Sequence, residues 1–280
     1  MTDVRICPAD FAFIRDLVLR RSAIVLEPGK EYLVETRLLP LARTAGDETV
    51  PRFIARLRTA ATPTLLTAVV EALTTNETSW FRDRHPFDAL RDHVLPELMA
   101  RPQGNRRISV WSAACSSGQE PYSIAMVLTD AIANHPGWSA DIVATDLSNE
   151  ILAQARSARY SQLEVNRGLP AALMVRHFER AGTHWALREP IRKMVSFREL
   201  NLAVPLPTMQ PVDIVFLRNV LIYFDAAMKR QVLAQVRRVL RPDGYLFLGG
   251  AETTLHLDSE FERSPLGATS VYRLRNRKAA

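Results

Sequence analysis

The sequence predicts an α/β protein: a mostly parallel sheet covered by helices, preceded by a separate bundle of short helices. Three observations lead there. From Ile108 onward, strand-like apolar runs alternate with helical ones, the pattern of a parallel sheet with helices on both faces. Before residue 75, apolar residues recur only at helical spacing. Between the two lies a polar stretch, Thr74-Thr75-Asn76-Glu77-Thr78, that reads as a linker.

In the first region, Phe11, Phe13, Ile14, Leu17 and Val18 make one apolar stripe, and Pro28-Gly29 breaks the chain after it. Tyr32, Leu33, Thr36 and Leu39 continue on a second helix, which Pro40 should kink or end early. Val50, Phe53, Ile54 and Leu57 form a third stripe. Thr62-Pro63 reads as a cap followed by proline at the first helical position, opening a fourth helix with Leu65, Leu66, Val69, Val70 and Leu73 on one side.

Beyond the linker, Phe87, Leu90, Val94 and Leu98 form a helical lead-in. Strands are then expected at Ile108–Trp111, Ile142–Thr145, Val195–Phe197, Val212–Leu217, Tyr245–Gly249 and Ser270–Arg273. Helices are expected at Tyr122–Ile132, Asn149–Ala158 and Ala226–Leu240. Residues about 160–195 break the alternation and read as an insertion with short antiparallel strands. The expected division is therefore 1–75 and 76–280.

Composition narrows the class. Of the 280 residues, 47% are hydrophobic and 24% charged, as in a soluble globular protein. No apolar run approaches the ~20 residues of a membrane span, and the first residues lack a signal-peptide core, so a cytoplasmic protein is expected. Cys7 and Cys115 supply neither a disulfide framework nor metal-ligand spacing. The net charge of +6 fits either a solvated basic surface or a partner rich in carboxylate or phosphate.

The most telling stretch is Ser112-Ala113-Ala114-Cys115-Ser116-Ser117-Gly118-Gln119-Glu120-Pro121, small residues between a strand and a helix. That is the position of a nucleotide-type ligand. One glycine is present where a pyrophosphate loop has three, and Glu120 at the helix opening would repel a pyrophosphate while suiting an ammonium or hydroxyl donor. These features point away from NAD and ATP and toward S-adenosylmethionine, which carries adenosine, a sulfonium and an amino acid but no phosphate. An acid in a first helical turn also meets the dipole favourably, so Glu120 alone would not decide this. Asp146 ends the second strand, where such folds grip ribose hydroxyls; capping the next helix is the alternative, but Ser148 can do that. Asn201-Leu202, at the end of the third strand, should lie beside the adenine. The fourth strand runs into Arg218-Asn219-Val220-Leu221-Ile222-Tyr223-Phe224, which puts Arg218, Asn219 and Tyr223 beyond a strand's carboxyl end, although a tyrosine there could simply be a half-buried aromatic. Arg241-Pro242-Asp243-Gly244 reads as a structural turn.

Together, the Ser112–Ser123 loop, Thr75-Asn76-Glu77-Thr78-Ser79-Trp80-Phe81-Arg82, Ala144-Thr145-Asp146 and Arg218–Phe224 resemble the CheR family, over nearly the whole chain. These are chemotaxis receptor methyltransferases, which esterify glutamate side chains on receptor signalling helices. The resemblance implies a Rossmann-like class I S-adenosylmethionine-dependent methyltransferase domain, S-adenosyl-L-homocysteine as product, and a receptor-docking N-terminal domain. It implies cofactor contacts from Asn76, Thr78 and Arg82, from Glu120 at the methionine end, from Asp146 at the ribose, and from Asn201, Leu202, Leu217 and Arg218 on the adenosine side, with Asn219 adjoining. It implies that Arg82 and Tyr223 act near the transferred methyl. One departure is visible: family members that bind a receptor's C-terminal pentapeptide carry a glycine-rich loop in the inserted subdomain, and here that loop, around Ala181-Gly182-Thr183-His184-Trp185, is short. A pentapeptide-independent branch is expected.

A glutamate carboxylate has a reference pKa near about 4.3, so at neutral pH it is already a nucleophile. No general base is needed, and the sequence offers no His/Asp or Cys/His constellation; His85 and His93 need no role. Arg37, Arg43, Arg52, Arg56 and Arg58 on the helical domain could steer acidic receptor helices. Two alternatives stand beside this reading. One is a nucleic-acid methyltransferase of the same fold, disfavoured because strand four lacks an Asn/Asp-Pro-Pro-aromatic turn and no Pro-Cys nucleophile is present. The other is a non-catalytic S-adenosylmethionine-binding signalling module, disfavoured by the presence of Arg82 and Tyr223. The expected partners are receptor helices, with no nucleic acid, no membrane insertion and a monomeric protein.

Overall fold

The computed structural model describes residues 5–101 and 106–275. The chain divides between Thr75 and Asn76 into two compact units, and Tyr223–Met228 group with the first.

The first unit is helical. α1 (Pro8–Ser22) buries Phe11, Ile14, Leu17 and Val18 and ends at Ala23 in a left-handed turn. α2 (Glu31–Thr44) buries Val34, Leu38 and Ala42. It runs past Pro40 to Thr44, so of the kink or early end expected there, the early end does not occur. Pro40 and Thr36 lie on the exposed side of the helix, while Leu38 and Ala42 carry the buried stripe past the proline. α3 (Val50–Ala60) buries Val50, Phe53, Ile54 and Leu57. α4 (Pro63–Leu73) opens on Thr62, whose hydroxyl accepts from the Leu65 N–H at 3.2 Å.

The second unit begins with α5 (His85–Ala89), a π-helical turn at Leu90–Val94 and α6 (Leu95–Met99), burying Phe87, Leu90, Val94 and Leu98. β1 (Arg107–Ala113) leads to α7 (Gln119–Ala133), then β2 (Ser139–Asp146) and α8 (Asn149–Ser157). α7 starts at Gln119, not Tyr122, because Pro121 sits in its first turn, where a missing N–H costs nothing. The insertion follows: β3 (Arg159–Tyr160), α9 (Gln162–Asn166), α10 (Ala171–His177), β4 (Phe178–Ala181), β5 (His184–Leu187) and α11 (Glu189–Arg192). Its three strands are antiparallel in the order β3-β5-β4, and Gly182-Thr183 form the two-residue turn between β4 and β5. β6 (Val195–Glu199) and β7 (Val212–Leu217) return to the main sheet. A 3-10 turn (Leu221–Tyr223), α12 (Ala226–Val239), β8 (Leu240–Leu248), β9 (Phe261–Leu266) and β10 (Thr269–Leu274) complete the chain.

The main sheet has the order β6-β2-β1-β7-β8-β10-β9, parallel through β8 and antiparallel for the last two strands. The predicted α/β fold with an antiparallel insertion and a helical N-terminal region is the fold observed. β9 was not anticipated; it is an edge strand and so tolerates Pro265. β8 begins earlier than predicted and ends at Leu248, before Gly249: Val212 pairs with Leu240 and Ile214 with Tyr245, so Arg241–Gly244 loop out between them. From β1 the chain moves outward to β2 and β6, then crosses back to β7 on the other side of β1. The ligand crevice of such a sheet opens at that reversal, beyond the carboxyl ends of β1 and β7.

Candidate active site

The loop after β1 is held open by its own backbone. Ala114, Ser116 and Gly118 all have left-handed φ, at 54°, 50° and 94°. A Cβ at Gly118 would lie 3.0 Å from the Tyr160 hydroxyl and 3.1 Å from the Ala155 Cβ, so glycine is required there. The Tyr160 hydroxyl donates to the Ser117 carbonyl at 2.8 Å, fastening the loop to the insertion. The Ser116 N–H donates to Asp146 at 2.8 Å, and the Ser148 N–H donates to the other Asp146 oxygen at 3.1 Å. Asp146 therefore ends β2 with its carboxylate against the loop, while the Ser148 hydroxyl caps α8 through the Ile151 N–H. The Ser116 hydroxyl donates to the Asn76 carbonyl at 2.8 Å, which brings the linker to the same loop.

The linker is anchored. Trp80 is buried, its backbone N–H donates to the Arg167 carbonyl, and its ring meets Tyr160 and Phe178 edge-on at 4.9 and 5.4 Å. Thr78 and Arg82 are half-buried, and an Arg82 guanidinium nitrogen donates to the Glu77 carbonyl at 3.0 Å.

Arg218, directly after β7, has a side chain 1% exposed. Its Nη1 donates to Glu120 at 3.0 Å; its Nη2 donates to Asp83 at 2.7 Å and to the Arg82 carbonyl at 2.9 Å. The other Glu120 oxygen accepts from the Ser112 hydroxyl at 2.9 Å. One buried guanidinium thus joins the first turn of α7 to the segment carrying Arg82. Burial pushes the Glu120 carboxyl above its ordinary value, opposed by Arg218 and Ser112. Burial also pushes the Cys115 thiol well up, with Asp146 and Glu120 adding to it, so Cys115 is not a thiolate nucleophile.

On the far side of Asp146, its carbonyl accepts from the Leu200 N–H at 2.9 Å, which sets Asn201 and Leu202 beside it. β6 ends at Glu199, before these residues. The Asn201 side chain accepts from the Ala203 N–H, and the buried Leu202 offers its carbonyl to Gln235. Leu217 is fully buried, and Asn219 has a left-handed φ of 57°. Tyr223 ends the 3-10 turn and is half-buried; it groups with the helical unit, where its carbonyl accepts from the Val25 N–H at 2.9 Å.

Two carboxylates, several hydroxyls and the backbone of a glycine-poor loop converge on the ends of β1 and β2, and the 112–118 segment contains no basic side chain. That donor set fits a ligand bearing an ammonium, a sulfonium and ribose hydroxyls rather than one bearing phosphates.

Comparison with known proteins decides the family. The chain matches the CheR methyltransferase S-adenosylmethionine-binding domain over residues 76–269 and the CheR methyltransferase all-alpha domain over residues 9–74. The chain belongs to the CheR methyltransferase family. Chemotaxis protein methyltransferase 1 of Pseudomonas aeruginosa is 40% identical over 269 residues, covering 95% of this chain and 97% of that protein. The chemotaxis protein methyltransferase of Vibrio parahaemolyticus is 38% identical over 98% of this chain and 100% of its own length. That of Escherichia coli is 37% identical over 95% of this chain and 91% of its own length. This CheR chain is accordingly an S-adenosylmethionine-dependent methyltransferase. Among its described residues no helix is long and apolar enough to cross a membrane.

Several residues that build the CheR site carry no local sequence signal. Asp83, Trp80 and Tyr160 meet their partners 43 or more residues away in sequence, and Glu252 reaches the segment after β7 across 31 to 33 residues. Glu252 accepts from the N–H groups of Asn219, Val220, Leu221 and Gly249.

Proposed function

We propose that this protein transfers a methyl group from S-adenosylmethionine to glutamate side-chain carboxylates of chemoreceptors, forming methyl esters. Its relatives' names supply the receptor context. The observation that carries the chemistry is the pair of carboxylates, Glu120 and Asp146, at the ends of β1 and β2, around a loop whose one cysteine, Cys115, is buried and held as a thiol. An ionised glutamate needs no base, so such a site suffices.

When bound, the cofactor supplies an electrophilic methyl on a sulfonium. Asn76, Thr78, Glu120, Asp146, Asn201, Leu202, Leu217, Arg218 and Asn219 are the residues proposed to hold it. Glu120 retains acceptor capacity for an ammonium beyond Ser112 and Arg218, since an ionised carboxylate has about four lone-pair sites. The Arg218 guanidinium is engaged within the protein, so its contribution to cofactor contact falls to the backbone. Arg82 and Tyr223 are proposed to orient the incoming carboxylate. A tight bidentate clamp would stabilise the ground state, whereas a partial contact leaves the attacking oxygen reactive. Alignment and removal of water from the opposed charges then account for the rate. The two-residue Gly182-Thr183 turn supports a branch that does not dock on a receptor pentapeptide.

Incubation with labelled cofactor and a receptor methylation fragment should give base-labile label, released as methanol. Arg82→Ala and Tyr223→Phe should each slow transfer by about 10-fold or more without unfolding the protein. Label on RNA, or cofactor binding with no transfer, would reject the proposal.

A further inference from the structure

The carboxylate of Glu252 stands at the carboxyl ends of two neighbouring parallel strands, β7 and β8. One oxygen accepts from the Gly249 N–H at 2.7 Å and the Asn219 N–H at 2.8 Å. The other accepts from the Val220 N–H at 2.9 Å and the Leu221 N–H at 2.7 Å. The residue is 8% exposed. Three consecutive amides converge here because Asn219, two residues after β7, takes a left-handed φ, which turns the following N–H groups toward one point. Such a concavity of backbone donors is an anion site, and the protein fills it with its own side chain.

The fit is tight. A Cβ on Gly249 would lie 2.7 Å from a Glu252 oxygen and 2.8 Å from the Asn219 side-chain nitrogen, so the arrangement requires glycine at 249 and a carboxylate at 252. The short 3-10 turn that carries Tyr223 begins at Leu221, one of the four bonded residues. We infer that Glu252 is a positioning residue for methyl transfer: its carboxylate fixes the backbone from Asn219 to Leu221, and thereby the turn that presents Tyr223. It is not a catalytic residue, because its oxygens are spent on backbone amides. An amide could not replace it, since a glutamine would turn an NH₂ donor toward two N–H groups.

This inference rests on the reading of Tyr223 proposed above, and its test separates the two. Glu252→Gln and Glu252→Asp are compared with the unaltered protein for methyl transfer to a receptor fragment and, by calorimetry, for binding of S-adenosylhomocysteine. The expected result for Glu252→Gln is a kcat lowered by about 10- to 100-fold, the scale of a small misplacement of a reacting group, with S-adenosylhomocysteine affinity changed less than about 3-fold. Glu252→Asp, which keeps four-fold acceptance by a charged group, should recover part of the lost kcat. A folded Glu252→Gln protein with unchanged kcat overturns the inference, as does a loss confined to thermal stability or to product affinity. If Glu252→Gln does not fold, Gly249→Ala crowds the same carboxylate and should show the same kcat loss; an unchanged kcat there also overturns it. An unaltered protein that methylates nothing rejects the proposed function instead.

Discussion

Arginines tie backbone together in both units, but in opposite surroundings. In the helical unit Arg37 donates to the carbonyls of Leu73 and Thr74 at 2.9 and 3.0 Å, closing the end of α4. Arg56 donates to the Ala45 carbonyl at 2.8 Å and pairs with Asp47; Arg58 donates to the Ala9 carbonyl at 2.9 Å, pairs with Asp10 and lies 4.3 Å above the Phe13 ring. The Arg56 and Arg58 side chains remain 37% and 40% exposed, so each pair contributes little beyond its hydrogen bond to a backbone carbonyl. Arg218, by contrast, has a side chain only 1% exposed and is held against two acids. The same side chain is an adjustable clip in one unit and an indispensable countercharge in the other.

The largest effect should follow from breaking the second kind. Arg218→Met leaves the buried Glu120 without its guanidinium and releases the Arg82 carbonyl. A loss of about 3–5 kcal/mol in denaturant unfolding is expected. The loss should shrink on acidification, as Glu120 takes up a proton. A change below about 1 kcal/mol at neutral pH would mean that the pair is not the countercharge described.

Next come the clips. Arg56→Glu and Arg58→Glu each place an acid beside an existing one and free a carbonyl, which should cost about 1–2 kcal/mol. Arg43 and Arg52 are exposed, and Arg52 has only a distant ion pair, 4.0 Å from Glu48. Arg43→Glu and Arg52→Glu should change stability by no more than about 0.5 kcal/mol. If acidic receptor helices are steered to this unit, the same two changes should lower the methylation rate at low salt and flatten its salt dependence. An unchanged salt profile would end the steering proposal. The five arginines that look alike in the sequence thus divide into anchors and candidates for steering.

That division shows where the sequence was readable. Periodicity is local, so Val50, Phe53, Ile54 and Leu57 announced their buried face, and Ser148 its cap. The position of Asp146 at the end of β2 was equally plain, because the apolar run before it marks the strand. Which of a kink or an early end Pro40 would produce was not legible, because the cost of a helix proline depends on how the freed carbonyl is satisfied, which is a tertiary fact. The countercharge of Glu120 lies 98 residues away, and the four donors to Glu252 lie on two strand ends, one of them 33 residues distant. No spacing rule reaches that far. Left-handed φ at Phe81, Asp83, Arg84, Ala114, Ser116 and Asn219, all on segments of the site, was also invisible in residues other than glycine.

The smallest effect concerns the sign of a pH dependence at the buried end of this comparison. Burial holds the folded-state pKa of Glu120 above its ordinary 4.5. Between the two values the folded protein binds more protons than the unfolded chain, so stability falls as pH rises through that window. A single proton limits the slope to about 1.4 kcal/mol per pH unit. Glu120→Gln removes the titrating group and should flatten the unfolding midpoint against pH above 4.5, whatever offset the lost pairing with Arg218 adds. Denaturant midpoints for both proteins across pH 4 to 8 check this. Parallel curves would show that Arg218 and Ser112 fully offset the burial, and would move the site's electrostatic weight from Glu120 onto the guanidinium alone.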